Sequence, residues 1–202
     1  MTAKAVASQL NALLKPLDFE RRKMAWNRLV DSFVDVVDLQ ISKAGDTITV
    51  NAGVVDVDVH TILWGRKPPE FVEQPACTVC IRIGELIDGK DMWWRLSDHE
   101  TVHSVGANVA ARVLPFLERM HSRRAMERWL IDTKVETRKY PAPILNLAIL
   151  KTLLGEARQG CTLIDALQKK SIGAWQTRAI EVADRLRCDQ SSGDSDNCLC
   201  NG

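Results

Sequence analysis

Apolar and polar side chains alternate along two neighbouring stretches of the sequence, and this alternation limits the fold more than any other feature. In residues 33–41 the main apolar set lies at odd positions, and in residues 48–54 it lies at even positions. A period of two is typical of strands that bury one face. Gly45 and Asp46 lie between the stretches and favour a turn. The pattern therefore predicts a β-hairpin.

The phase of the alternation predicts which residues of the hairpin face each other. Because one strand buries odd positions and the other buries even positions, facing residues must have an odd sum of residue numbers. A tight loop centred on Ala44 and Gly45 meets this condition. The predicted pairs are Ile41 with Ile48, Leu39 with Val50, and Val37 with Ala52. After Gly53 the apolar phase shifts to Val55, Val57 and Val59, which predicts a β-bulge.

Further alternating stretches complete the predicted sheet. They cover residues 77–83 and 92–96, and residues 22–29 are a candidate strand before the hairpin. Short turns between consecutive strands predict an antiparallel meander of about five strands. A helix precedes the sheet, because Val6, Leu10 and Leu14 recur at helical spacing before Pro16.

The second half of the chain has helical spacing. Ser97 and Glu100 form a capping-box pattern at its start, and Pro115 predicts a kink or a restart of the helix that follows. Pro143 fits the first turn of another helix, and Gly160 fits a helix end. Shorter helices are predicted over residues 162–170 and 174–187.

The predicted fold class is α+β, with an antiparallel sheet of about five strands packed with helices and followed by a helical C-terminal part. We expect an α+β domain over residues 1–120 and a helical extension over residues 121–188. Residues 189–202 are rich in Ser, Gly, Asp and Asn, which predicts a disordered tail.

Charge and hydropathy along the chain argue against some classes of function. The formal charge is +1, so the overall charge does not predict binding to nucleic acid or to an anionic membrane. The N-terminus has no apolar signal segment, and the most apolar window, residues 144–154, is about half as long as a membrane span. We therefore expect a cytoplasmic protein whose six cysteines are free thiols.

Two short motifs resemble metal sites. Cys77 and Cys80 form a Cys-x-x-Cys motif, but residues three apart on a strand point to opposite faces. His99-Glu100-Thr101-Val102-His103 matches the zinc-protease pattern. A capped, solvated helix start explains Glu100 more simply, since no third ligand follows at a suitable spacing. We expect no metal and no other cofactor.

Polar positions on the predicted strands provide the candidate binding residues. Aspartates at positions 35, 38, 56 and 58 are a carboxylate-rich set, but an open sheet face produces such a set without catalysis. No catalytic residue is assigned. A tryptophan beside an arginine and amides has the composition of a protein-binding hot spot, unless the C-terminal helices cover it. The candidate partner-binding residues are Asp38, Gln40, Asn51, Arg82 and Trp93.

Several short stretches occur in the order of a known family. They are Leu17–Phe19, Val37–Lys43, Ile48–Gly53, Cys80–Gly84, Trp93–Trp94 and Leu114–Leu117. This series resembles a bacterial family, domain of unknown function 4304, over roughly residues 5–120. The family's Leu-Gln-x-Ser and Asn-x-Gly positions fall on Leu39, Gln40, Ser42, Asn51 and Gly53. Ala52 departs from the bulkier apolar residue usual in the family.

The resemblance implies a small cytoplasmic protein without established enzymatic activity and with no catalytic residues to carry over. Similar proteins occur near polymorphic toxins, which implies an immunity role. Our leading hypothesis is a non-catalytic protein that binds a partner protein, a bacterial toxin that it neutralises. The alternative is a metal-dependent hydrolase or nuclease that uses the sheet carboxylates or His99 and His103. A nucleic-acid accessory factor is a third hypothesis.

Overall fold

A computed structural model describes residues 2–137 and 139–188. The helices are α1 (Ala3–Leu14), α2 (Val57–Trp64), α3 (Ile83–Ile87), α4 (Thr101–Asn108), α5 (Leu114–Arg119), α6 (Arg123–Asp132), α7 (Ala142–Leu153), α8 (Ala157–Lys170) and α9 (Ala174–Leu186). The strands are β1 (Glu20–Arg22), β2 (Ala25–Val30), β3 (Phe33–Ile41), β4 (Thr47–Asp56), β5 (Val79–Arg82) and β6 (Trp94–Arg95). The predicted α+β class is confirmed. The predicted disordered tail, residues 189–202, lies outside the described residues.

The chain divides into two compact units. The first contains the chain up to Val57 together with Pro68–Ser122, and the second contains Asp58–Lys67 together with the chain from Arg123 onward. The second unit thus includes a segment from the first half of the sequence. The domain bounds inferred from the sequence, residues 1–120 and 121–188, stay a prediction.

In the described part of the chain, six antiparallel strands form one open sheet in the first unit. Their order is β1-β2-β3-β4-β5, and β6 also pairs with β4. β3 and β4 pair in an unbroken register, from Phe33 opposite Asp56 to Ile41 opposite Ile48. The facing pairs predicted from the phase of the alternation are confirmed.

The prediction of a β-bulge after Gly53 is wrong, because β4 keeps its register with β3 to Asp56. Val54 and Val55 point to opposite faces and are both buried. Both faces of the sheet are covered at this point. Apolar residues therefore occur at odd and at even positions, and the strand needs no inserted residue of a bulge to explain them. The predicted strand through Val59 is also wrong, since α2 begins at Val57.

Helices cover one face of the sheet, which we call the helix face. Trp26 of β2 lies on it, is fully buried, and donates its indole N–H to Asn11 Oδ1 of α1 at 3.2 Å. α4 packs on α1, and α5 contacts β4. The apolar positions of β3 and β4 that set the alternation, including Val37 and Val50, are buried on this face. The alternation in the sequence thus reflects a core on one side of the sheet.

The helix predicted from Ser97 begins instead at Thr101, and the predicted capping box is wrong. Asp98 Oδ1 accepts the backbone N–H of Glu100 at 3.0 Å, while the Thr101 hydroxyl donates to the Arg95 carbonyl at 2.6 Å. The predicted restart near Pro115 is confirmed. A π-helical segment, Val109–Val113, joins α4 to α5, whose first turn contains the proline.

The second unit is helical. α7 is buried along most of its length and contacts α6, α8 and α9. The prediction that Gly160 ends a helix is wrong, because this residue lies inside α8. A Cβ atom at Gly160 would come within 2.5 Å of the Ala148 carbonyl oxygen, so the glycine permits close packing on α7.

The prediction that all six cysteines are free thiols is wrong for two of them. Cys161 of α8 and Cys188, which follows α9, form a disulfide with a Cα–Cα distance of 5.4 Å. Contact between α8 and α9 brings together residues that are 27 positions apart. Sequence spacing alone does not identify such a pair.

Candidate functional site

The five predicted binding residues form one connected network on the sheet face opposite the helix face. Strand pairing places Asn51 between Asp38 and Arg82. The Asn51 amide nitrogen donates to Asp38 Oδ2 at 3.1 Å and to Gln40 Oε1 at 3.0 Å. Arg82 donates from Nε to Asn51 Oδ1 at 3.2 Å and from Nη2 to Gln40 Oε1 at 3.2 Å. The sequence-predicted residues are therefore neighbours in space.

Trp93 joins the network through Arg82 and Asp91. The Arg82 guanidinium carbon lies 5.2 Å from the centre of the Trp93 ring, in the range of a cation–π contact. Asp91 accepts from Arg82 Nη1 at 2.9 Å and from the Trp93 indole N–H at 3.2 Å. These hydrogen bonds, first from Arg82 and then from Trp93, lower the pKa of Asp91. Asp91 thus fixes the arginine against the tryptophan.

We call these six residues the polar face: Asp38, Gln40, Asn51, Arg82, Asp91 and Trp93. Sequence reasoning missed Asp91, because it precedes β6 and has no place in the alternating pattern. Its position two residues before Trp93 was the available signal. The polar face is open to solvent in part, since the Arg82 side chain is 29% exposed and the Asp91 side chain is 58% exposed. Trp93 is partly exposed.

Asp38 lies at one end of the network. Asn51 is the one hydrogen-bond donor to its carboxylate within the described residues. Burial raises the pKa of Asp38, the hydrogen bond from Asn51 opposes that rise, and the nearby carboxylate of Glu73 adds to it. The negative charge of Asp38 is therefore only partly compensated.

The segment between α2 and β5, which contains Val72 and Cys77 and which we call the Val72 segment, covers another part of this sheet face. Asn27 of β2 holds the segment by accepting the Val72 backbone N–H at 2.6 Å and donating to the Val72 carbonyl at 3.1 Å. The residues packed there are Val34, Val36, Val55, Val72 and Cys77. The segment therefore covers the part of this face around Val36 and Val55 with apolar side chains, beside the polar face.

The prediction that Cys77 and Cys80 point to opposite faces is wrong. Cys77 lies before β5, and its Sγ would be 2.7 Å from a Cβ atom at Gly53. Cys80 pairs with the same Gly53 across the sheet, so both cysteines lie on one face. Burial raises the pKa of the Cys77 thiol well above its usual value. Cys77 is thus a poor nucleophile.

The other metal-like motif does not form a helical pair. His99 lies before the first residue of α4, and only His103 lies within that helix. Both are exposed. Residues 2–137 and 139–188 contain no group of three or more His, Cys, Asp or Glu side chains arranged to hold a metal ion.

The four aspartates of the carboxylate-rich set do not converge. Asp35 and Asp56 are fully buried on the helix face, whereas Asp38 lies on the polar face. Asp58 belongs to the second unit and forms an ion pair with Arg123. Alternating strand positions and the change from strand to helix at Val57 separate these side chains.

Sequence reasoning missed an ion-pair network on the helix face. Asp35 Oδ1 lies 2.7 Å from His121 Nε2, and Asp35 Oδ2 accepts from Arg28 Nη2 at 2.7 Å. Arg28 Nη2 also donates to Glu118 Oε1 at 2.6 Å. Burial disfavours the charge of Arg28, but its hydrogen bonds to the two carboxylates raise the pKa overall. The sequence signal for this network was Asp35, a charged residue at one of the odd positions of β3 that are otherwise mostly apolar.

Comparison with known proteins assigns residues 10–119 to a family. The sequence profile of the domain of unknown function DUF4304 matches residues 10–119, which is more than half of the chain. The chain belongs to the DUF4304 family. All residues of the polar face lie within the DUF4304 region, and helices α6 to α9 lie beyond it. Neither the curated proteins nor the solved structures contain a significant match.

A groove of about 680 Å³ lies in the second unit, outside the DUF4304 region, with Ile144, Leu163 and Trp175 among its lining residues. None of the predicted binding residues lines it. The groove is therefore separate from the polar face. Among the described residues, no helix combines the length and the apolar character that crossing a membrane requires.

Proposed function

We propose that this protein is non-catalytic and that the polar face binds a partner protein. The observation that carries the proposal is the Arg82–Trp93 pair, which Asn51, Gln40 and Asp91 hold in one arrangement. Arginine and tryptophan contribute strongly to protein interfaces when packing fixes them in place. Side chains that are ordered before binding lose less entropy when a partner arrives.

We further propose that the partner is a bacterial toxin and that this protein neutralises it by covering a functional surface. This role is the one that the family resemblance implies, through the similar proteins of which some occur near polymorphic toxins. An open sheet face with a fixed arginine and tryptophan suits broad contact with a folded protein better than enclosure of a small molecule.

Co-expression tests this proposal directly. Each toxin candidate encoded beside the gene is expressed in a bacterial host, with and without this protein, and growth is measured. Protection by the wild type and its loss in Trp93→Ala are expected. Tyr140→Ala is the matched control, because Tyr140 is an aromatic residue of the second unit that is 54% exposed. Full protection by a folded Trp93→Ala protein would contradict the proposal.

We place the protein in the cytoplasm, and the thiol state of Cys161 and Cys188 tests this placement. Disulfides are rare in the cytosol, where cellular thiols keep cysteines reduced. The structure joins these two cysteines in a disulfide, whereas a cytoplasmic location predicts that both are reduced in the cell and are labelled by alkylation of thiols during lysis, read out by mass spectrometry. A Cys161–Cys188 disulfide in freshly lysed cells would instead indicate an oxidising compartment.

A further inference from the structure

We infer that Cys161 and Cys188 form a reversible redox clamp, which holds α9 on the second unit when it is oxidised and allows α9 to open when it is reduced. The inference concerns helices beyond the DUF4304 region and is independent of the proposed toxin partner. Three features support it: the points at which α9 is tied to the rest of the unit, the small apolar area that α9 buries, and the exposure of the two cysteines.

The disulfide ties the C-terminal end of α9 to the first half of α8. Cys161 lies in that half of α8, and Cys188 lies just after the last residue of α9. At the other end of α9, the short connection of residues 171–173 joins it to α8. With the bond formed, α9 is therefore covalently fixed at both ends, and with the bond reduced it is fixed at its N-terminal end alone. Closing a loop in this way removes many open arrangements of the chain.

α9 buries little apolar surface of its own. Its fully buried residues are Ala179 and Val182, which both have small side chains. In α7, by contrast, every residue from Ile144 to Lys151 is buried. Elements with few buried apolar contacts open at a small cost in free energy. Packing alone therefore holds α9 only weakly.

The polar contacts of α9 with its neighbours lie at or near the surface. Arg185 Nη1 donates to the carbonyl oxygens of Ile62 and Leu63 at 2.8 Å and 3.2 Å. The Gln176 side-chain amide donates to the Gln168 carbonyl at 3.1 Å. Water can replace these partners when α9 opens, so such hydrogen bonds add little net stability. They direct α9 to its place but do not fix it there.

Opening of α9 changes the surface of the second unit. Trp175, in the first turn of α9, lines the groove of about 680 Å³, and its ring centroid lies 6.2 Å from that of Trp64 in α2. The Arg178 guanidinium lies over the same Trp64 ring at 4.8 Å. Release of α9 takes Trp175 out of the groove wall and uncovers Trp64. The state of the cysteine pair thus decides whether the groove is complete.

Both cysteines are accessible to a small thiol, since each is partly exposed, whereas Cys77 is buried. The oxidant is glutathione disulfide. The thiolate of one cysteine attacks it and releases one reduced glutathione, and the thiolate of the other cysteine attacks the resulting mixed disulfide and releases the second. The two protein thiols thereby lose two electrons and two protons, and glutathione disulfide becomes two molecules of reduced glutathione. Excess reduced glutathione drives the same steps in reverse.

Hydrogen–deuterium exchange of the full-length protein tests the clamp. One sample is equilibrated with glutathione disulfide and the other with excess reduced glutathione, and mass spectrometry of the intact protein records the state of the cysteine pair. On reduction, the amides of residues 174–186 should exchange faster by on the order of a hundredfold, the effect expected from opening a loop with a sequence separation of 27 residues. The amides of α7, β3 and β4 should keep their exchange rates.

Cysteine substitutions assign the effect to this bond. Cys161→Ser cannot form it, so its exchange rates in both buffers should match those of the reduced wild type. Cys188→Ser removes the same bond from a position outside any helix and should give the same result. Cys80→Ser is the matched control, because it changes an exposed cysteine of the first unit, and it should respond to reduction as the wild type does. Circular dichroism reports whether each variant is folded.

Several results would overturn the inference. Equal exchange of α9 in the two buffers would show that the bond does not hold the helix, and a response that persists in Cys161→Ser would place its cause elsewhere. Faster exchange of the whole second unit on reduction would make the bond a structural cross-link of the fold. The same conclusion would follow if the pair stayed oxidised in excess reduced glutathione.

Discussion

Asp35 and Asp38 lie three residues apart on β3 and point to opposite faces of the sheet. Asp35 is fully buried on the helix face, where it contacts the charged or chargeable side chains of Arg28 and His121. Asp38 lies on the polar face, with one hydrogen bond from the neutral amide of Asn51. Because successive side chains of a strand point to opposite faces, two carboxylates of the same strand lie in different environments.

Neutralising these two aspartates should have different effects on stability. Asp35→Asn removes a buried charge that pairs with Arg28, and such a loss costs about 3–5 kcal/mol. Asp38→Asn should leave the free energy of unfolding unchanged or slightly raised, because burial disfavours the charge that it removes. Urea unfolding monitored by circular dichroism measures both. Equal destabilisation by the two substitutions would contradict this difference in environment.

Gly53→Ala should loosen the segment around Val72 and Cys77 that covers part of the sheet face. The added Cβ would lie 2.7 Å from both Cys77 Sγ and the Val79 carbonyl oxygen, so the segment must shift. Overpacking of this kind costs about 1–3 kcal/mol. Chemical unfolding gives the cost, and faster hydrogen exchange at Val72 and Val79 should accompany it. Unchanged stability and unchanged hydrogen exchange at Val72 and Val79 in Gly53→Ala would contradict this close packing.

His60 should make the second unit less stable in mild acid. The residue is 6% exposed, and burial lowers its pKa below the ordinary value of 6.5 despite a hydrogen bond with the Arg66 carbonyl. The unfolded chain therefore binds the proton more readily than the folded chain. The contribution of His60 to stability is present above pH 6.5 and is lost as the pH falls through the lowered pKa.

Thermal unfolding of the wild type and of His60→Asn measures this effect. Between about pH 7.5 and about pH 5.5, the midpoint of the wild type should fall more than that of the variant, which cannot take up a proton. Parallel curves for the two proteins would show that His60 does not cause the acid sensitivity.

Lys151→Met should destabilise the second unit by about 2 kcal/mol, which is less than the cost of breaking a fully buried pair. Lys151 Nζ donates to Glu127 at 3.0 Å, to Glu156 at 3.2 Å and to Gln159 at 2.9 Å. The substitution leaves Glu127, which is 4% exposed, dependent on Arg124 alone. Adding Glu127→Gln should recover part of the loss in denaturant unfolding. A double variant less stable than the sum of both single changes would contradict the ion-pair explanation.

The hairpin was predictable because the alternation of apolar and polar side chains indicates both which face of each strand is buried and which residues pair across the strands. The odd-sum rule together with a tight loop at Ala44 and Gly45 pairs Val37 with Ala52, for example, and the structure pairs them. The end of β4 was not predictable by the same rule. Both faces are covered near Val55, so the residues there are apolar in either phase, and a helix that follows directly continues the apolar run.

The members of the polar face were predictable in part. Asp38, Gln40, Asn51 and Arg82 come from strands whose polar positions share one side, so period and pairing bring them together. Asp91 lies in a connection, where no periodicity fixes the direction of a side chain. The covering role of the Val72 segment depends on long-range contact with Asn27, which local sequence does not encode.

Hydrogen–deuterium exchange on the complex with a toxin identified by growth protection tests the binding role of the polar face most directly. We expect slower exchange in peptides that contain residues 38–40, 49–51, 80–82 and 91–93, with little change in peptides from residues 157–186. With Trp93→Ala in place of the wild type, at equal protein concentrations, the slowing of hydrogen exchange in these peptides should disappear. Protection confined to the helices beyond Arg123, or unchanged in Trp93→Ala, would contradict the assignment of the polar face as the binding surface.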